Sequence, residues 1–234
     1  MSMADNIARI RERISRAARL GRNPDSITLM AVSKTVEPDR IREAYAAGIR
    51  VFGENRVQEF ADKASLLKDL TQVEWHLIGH LQTNKANRAA ELFQAVDSVD
   101  SLRLAQKLDD AAQPARKILP LLIEINVGGE ESKSGVSASS PELEEILQGM
   151  QTLSHLQVRG LMTIPPFTED PQGARPYFRI LRELRDKIAA RNLPRIQMDI
   201  LSMGMSHDFE VAIEEGSTCI RVGTAIFGER PKPQ

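Results

Sequence analysis

The 234-residue chain has one cysteine, Cys219, one tryptophan and two tyrosines, and aromatic residues make up only 4% of it. A single thiol excludes an intramolecular disulfide and a cysteine-built metal cluster, and it points to a reducing compartment. Long apolar runs are also missing. No window approaches the roughly 20 residues that a membrane-spanning helix needs. The first 21 residues carry Arg9, Arg11, Glu12, Arg13, Arg16 and Arg19, too many charges for the apolar region of a secretory signal. Nor does charge of one sign accumulate: 31 Lys and Arg against 32 Asp and Glu leave a formal net charge of -1, which argues against nucleic acid or an anionic membrane as partner. A soluble, cytoplasmic chain working as a monomer is expected.

What the chain does have is a regular alternation. An amphipathic helix opens it, with Ile7, Ile10, Ile14, Ala17, Ala18 and Leu20 at helical spacing and Gly21 as its stop. Eight short runs then read as strands: 27–34, 49–55, 73–79, 93–99, 118–126, 158–164, 198–204 and 219–227. Helical patterns separate them. Val57, Phe60, Ala64, Leu67 and Leu70 mark one of these, and Phe178, Leu181, Leu184 and Ile188 mark another within 173–190. Strands alternating with helices imply a parallel sheet. A count of eight within this length predicts one α/β domain over 1–234, a closed (β/α)₈ barrel with an extra N-terminal helix.

In such a barrel ligands bind at the C-terminal strand ends. Lys34 closes the first strand there. A partly desolvated lysine is a nucleophile toward aldehydes, although a lysine snorkelling from a strand end is the ordinary alternative. The last two strand ends are rich in glycine and hydroxyls: Ser202-Met203-Gly204-Met205-Ser206 and Arg221-Val222-Gly223-Thr224. Their backbone can offer N–H groups to an anion, while Ser206 reads best as the cap of the following helix. A lysine opposite two such loops suggests a phosphorylated carbonyl compound, and pyridoxal 5'-phosphate (PLP) fits that description.

The segments Ala31-Val32-Ser33-Lys34, Phe52-Gly53-Glu54-Asn55, the run from His76 to Lys85, Gly160-Leu161-Met162, Leu201 to Ser206 and Ile220 to Thr224 resemble, in order, the motif series of the pyridoxal phosphate homeostasis protein family. The resemblance covers nearly the whole chain. It implies a barrel of the alanine-racemase type (PLP fold-type III) that holds PLP as a Schiff base on Lys34. It also implies Ser202, Gly223 and Thr224 as the phosphate cradle, Arg221 as partner of the pyridine nitrogen, and Asn55 beside the ring. Met203 and Met205 read as packing beside the ligand, with no catalytic part for their sulfur atoms.

An arginine donates but does not readily release its proton, so Arg221 disfavours protonation of the ring and weakens its capacity to absorb electrons. The resemblance to alanine racemase also calls for a tyrosine base, and the chain offers only Tyr45 and Tyr177, both on predicted helices. The favoured reading is therefore a non-catalytic PLP carrier that buffers the cofactor or delivers it to PLP-dependent apoenzymes. A small amino-acid racemase is the alternative, and an aldolase using Lys34 a remoter one. His76, His80 and His207 are expected to hold no metal; the segment from His76 to Lys85 is expected to shape the loop after the third strand and the pocket wall. Lys133, in the polar loop 128–135, is a candidate second acceptor of PLP, with ordinary solvation as its plain reading. Phe52 and Trp75 read as core or pocket wall rather than as a nucleic-acid stacking platform.

Overall fold

The computed structural model of the protein describes residues 2–18, 21–130 and 133–229. Arg19 and Leu20, assigned from sequence to the first helix region, and Glu131 and Ser132 of the polar loop lie outside these residues. Helix α1 (Met3–Ala17) is opened by a reciprocal cap, in which the Asp5 N–H donates to the Ser2 hydroxyl and the Ser2 N–H donates to the Asp5 carboxylate. Ile7, Ile10 and Ile14 form its buried stripe. Then follow β1 (Thr28–Val32), α2 (Pro38–Ala46), β2 (Val51–Glu54), α3 (Val57–Ala64), β3 (Glu74–Leu77), α4 (Ala86–Leu92), β4 (Ala95–Val99), α5 (Leu102–Ala112), β5 (Leu119–Asn126), β6 (Val136–Ser137), α6 (Pro141–Gly149), β7 (Leu156–Met162), α7 (Arg175–Ala189), β8 (Ile196–Met205), α8 (Phe209–Glu214), β9 (Cys219–Val222) and α9 (Thr224–Phe227).

Eight of these strands pair in parallel and close on themselves in the order β1, β2, β3, β4, β5, β7, β8, β9, with β9 returning to β1. The expected barrel is therefore present, with α1 as its extra helix. The short β6 lies outside the ring and pairs only with the end of β5; two residues carry too little pattern for sequence to reveal them. Most of the apolar core lies between the barrel wall and the helices. Phe52 and Trp75 belong to it, with rings 5.0 Å apart, as their reading as core residues requires. Inside the barrel a smaller cluster is built on Met30, Val32, Ile78 and Cys219. None of the helices among the described residues is long and apolar enough to cross a membrane.

Two strand ends differ from expectation, and both differences shape the mouth. The last strand stops at Val222 rather than Phe227, because Gly223 begins the short helix α9. Strand β8 continues through Met205, so the residues expected in a loop are largely strand. Ser202 faces Cys219 while Met205 faces Arg221, which sets three steps on β8 against two on β9. Gly204 takes up this bulge at φ +94°, and a Cβ there would lie 2.5 Å from the Ala212 Cβ.

Candidate functional site

The C-terminal mouth collects the motif residues. Lys34 sits two residues beyond β1 in a tight turn and is partly buried. The next residue, Thr35, has φ +59°, a left-handed conformation that is strained for a β-branched side chain. A network behind the turn holds it there. The Thr35 N–H donates to Glu59 Oε1 at 2.5 Å; Lys63 Nζ lies 3.3 Å from the same oxygen, 2.9 Å from Glu54 Oε1 and 2.9 Å from the Ser33 carbonyl; and the Ser33 hydroxyl donates to Glu54 at 2.6 Å. Glu54 is fully buried, which pushes its carboxyl upward against the opposing pull of Lys63. This brace ties the ends of β1 and β2 together, immediately beside Lys34 and Asn55. Sequence reading missed Lys63 and Glu59, which lie in an unremarkable amphipathic helix. Their only signal is that Lys63 falls on that helix's buried face.

Asn55 follows β2 directly. Gly79 packs against it so closely that a Cβ would meet the Asn55 carbonyl oxygen at 2.4 Å. On the other side of β1, Arg221 on β9 is 3% exposed. Its Nη1 donates to the Ser202 hydroxyl and its Nη2 to the Thr163 carbonyl, each at 2.7 Å. Thr163 is held in turn by its own hydroxyl, which donates to the Ile125 carbonyl at 2.7 Å. Burial pushes the Arg221 guanidinium down, and Cys219, Asp97, Glu124 and Asp208 act against that shift. No carboxylate pairs with Arg221 among the described residues. Glu124 on β5 is also buried, and its Oε2 has no hydrogen-bond partner. Desolvation pushes its carboxyl up to about 7, Asp100 adds to the shift and Arg221 opposes it.

Gly223 and Thr224 open α9, whose first amides find no acceptor within the helix. The hydroxyl of Ser206 lies 3.5 Å from the Ala225 N–H at the same turn. Ser206 therefore turns toward α9 instead of capping α8, whose leading position is taken by Asp208, with its carboxylate accepting the Met205 N–H at 2.7 Å. Ser202, expected in the cradle, is engaged by Arg221. Met203 does not face the mouth: alternation along β8 turns its side chain into the helix-packed core. Lys34, Asn55, Arg221, Gly223 and Thr224 thus gather at one end of the barrel, with Ser206 joining them.

The histidines separate. His76 lies low on β3, within a cavity of about 380 Å³ at the N-terminal end of the barrel, so it does not shape the wall of this mouth. His80 is exposed beside Asp100 at 3.2 Å, and His207 is held by the Thr168 and Glu169 carbonyls, 3.1 Å from each. No cluster of three metal-binding side chains occurs among the described residues. Lys133 pairs with Glu130 and reaches the Pro165 carbonyl at 3.4 Å.

The family model for the alanine racemase N-terminal domain matches residues 3–231. A pyridoxal phosphate homeostasis protein of Aquifex aeolicus is 47% identical over 231 residues, covering 98% of this chain and 99% of its relative. The chain belongs to the pyridoxal phosphate homeostasis protein family. The Escherichia coli K12 member is 44% identical over 97% of both chains. Among solved structures, PipY of Synechococcus elongatus with PLP bound superposes with a TM-score of 0.81 at 39% identity, covering 94% of this chain and all of that one. Alanine racemase from Streptomyces coelicolor has a TM-score of 0.73 at 18% identity; it covers 99% of this chain but only 60% of the racemase, and shares the fold alone.

Proposed function

We propose that this chain binds PLP at the C-terminal mouth and serves intracellular PLP homeostasis, holding and releasing the cofactor for PLP-dependent apoenzymes without turning over a substrate of its own. The observation that carries this reading is the buried guanidinium of Arg221, whose hydrogen-bond partners among the described residues are two neutral oxygens. Asp97, Glu124 and Asp208 act on it only from beyond contact; a buried charge with no anion in contact is costly, and such a group is retained where a ligand completes it. The residues fit PLP. Arg221 has N–H groups to spare and no acceptor, which suits an unprotonated pyridine nitrogen. The amides of Gly223 and Thr224, with the hydroxyl of Ser206 beside them, suit a phosphate, Ser202 fixes Arg221, and Asn55 flanks the ring. Lys34 supplies the amine. When bound, PLP contributes a reactive aldehyde that a lysine can hold reversibly.

The carrier reading over the racemase rests on what surrounds that amine. Tyr45 is on α2 with its hydroxyl donating to the Thr71 carbonyl at 3.0 Å, and Tyr177 is on α7, so both tyrosines are carried by helices and neither by a barrel strand. The test is an absorbance titration with PLP followed by borohydride reduction and peptide mapping. A visible band with the reduced pyridoxyl group on Lys34, lost in Lys34→Ala with unfolding behaviour preserved, is expected. Undiminished labelling in Lys34→Ala, with the label on Lys133, would refute Lys34 as the attachment point. Exchange of amino-acid α-protons at a catalytic rate would overturn the carrier reading.

A further inference from the structure

We propose that Glu124 is a second determinant of ligand binding in this mouth: a carboxyl that carries its proton when a phosphorylated pyridine is bound, so that ligand uptake brings a proton into the barrel. The inference rests on the PLP reading of the site and adds a residue that neither the motif series nor the barrel template singles out.

The geometry is specific. Glu124 pairs in register with Met162, and Met162 with Ser202, so Glu124 stands on the same row of the barrel as the hydroxyl that holds Arg221. It is 6% exposed, and one oxygen is buried without a partner. The charged groups facing it are Asp100, at the end of β4 and itself beside His80, and Arg221 on β9. Asp97 on β4 and Asp208 before α8 act on Arg221 from their own sides. Among the described interactions Glu124 therefore feels the cation of Arg221, which it does not touch, and the anion of Asp100, which repels its charge. A ligand with a phosphate adds further negative charge and covers the exposure that Glu124 retains. Both effects favour the neutral acid. Burial pushes the carboxyl up to about 7, so the coupling falls in the working pH range.

The probe is pyridoxine 5'-phosphate, which lacks the aldehyde and so cannot engage Lys34 covalently. Its phosphate is already largely dianionic above about pH 7. Calorimetric titrations at pH 7.5 in two buffers of different ionisation enthalpy read the protons taken up. The wild-type chain is expected to take up a substantial fraction of one proton and to lose affinity severalfold between pH 7 and 9. Glu124→Gln is expected to bind with the uptake abolished and the pH slope correspondingly flattened. Equal proton uptake and equal slopes in the two proteins, with PLP still fixed on Lys34 in both, would overturn the role of Glu124 and leave the PLP reading standing. No binding of either pyridoxine 5'-phosphate or PLP would overturn both.

Discussion

The two mouths of the barrel both bury charge, and they do so in opposite ways. At the N-terminal mouth His76 has Asp97 3.0 Å from its Nδ1 and Glu74 3.6 Å from its Nε2, while Arg159 faces Asp199 at 3.5 Å. Each cation there has an anion beside it. At the C-terminal mouth Arg221 is held only by a hydroxyl and a carbonyl, and Glu124 keeps an oxygen with no partner. The N-terminal mouth also holds a cavity of about 380 Å³, yet its charges answer one another, whereas at the C-terminal mouth the Lys63 brace is paired but Arg221 has no carboxylate in contact and Glu124 keeps an orphaned oxygen among the described residues. A buried polar group is weak evidence of function; a buried polar group without its complement is stronger. The distinction agrees with the general division of (β/α)₈ barrels into a stabilising and a ligand-binding face.

Breaking the paired mouth should cost the most stability. Burial alone depresses the His76 imidazolium, but Asp97 and then Glu74 outweigh it and push the group up to about 10. A folded value above the unfolded one near 6.5 means that the contribution is fully present below that pH and disappears as pH rises through about 10. Asp97→Asn is expected to lower unfolding free energy at pH 6 by about 3–5 kcal/mol, as when one partner of a buried pair is removed. It should also flatten the decline of stability between neutral and strongly alkaline pH in urea unfolding series. Asp97 reaches Arg221 only at a distance, so PLP affinity should change by no more than about threefold at the cost of a weak charge interaction. A loss of affinity with stability intact would abolish the distinction between the mouths.

The unpaired mouth should behave in the reverse way. Arg221→Met replaces a buried guanidinium by an apolar chain of similar length. Stability is expected to hold or rise, because replacing a buried charge by a packed apolar group is often neutral or favourable. Affinity for pyridoxine 5'-phosphate should fall by about 1.5–3 kcal/mol, the worth of a hydrogen bond to a charged donor. Calorimetry and urea unfolding on the same preparation separate the two quantities. A stability loss matching that of Asp97→Asn, with unchanged affinity, would make Arg221 a structural residue.

Much of this arrangement is legible in the sequence because it depends on period and punctuation. Eight β-rich runs between helical stripes give the barrel, and the Lys34, Asn55 and Gly223-Thr224 motifs at the strand ends give the mouth. What escapes is set by contacts distant in the chain. Thr35 looks like an ordinary turn residue, and its strained backbone is visible only with Glu59 and Lys63 behind it. Ser202 and Ser206 look interchangeable until the Gly204 bulge shifts β8 against β9 and sends one to Arg221 and the other to α9. Met203 falls into the core by the same alternation that turns Ser202 inward. Glu124 sits in the most apolar stretch of the chain, where a carboxylate could equally have been paired; its missing partner has no sequence signal.

The smallest effect sharpens the comparison from the side of the N-terminal mouth. Arg159 and Asp199 form the rim of the cavity with side chains 37% and 64% exposed, and their 3.5 Å separation is long for a charge-assisted bond. Water screens such a pair, and holding two mobile side chains together offsets most of the attraction, so it is worth about 0–1 kcal/mol. Asp199→Asn should therefore move the urea midpoint barely beyond error and leave PLP binding and its pH slope untouched. The Arg159 Nε, buried without a partner, belongs to the same rim, and its guanidinium retains access to solvent through its other nitrogens. A change in PLP affinity of tenfold or more in Asp199→Asn would mean that charge at one mouth is transmitted through the interior to the other. The row of inward groups from His76 and Asp97 to Arg221 would then have to be treated as one electrostatic unit rather than two.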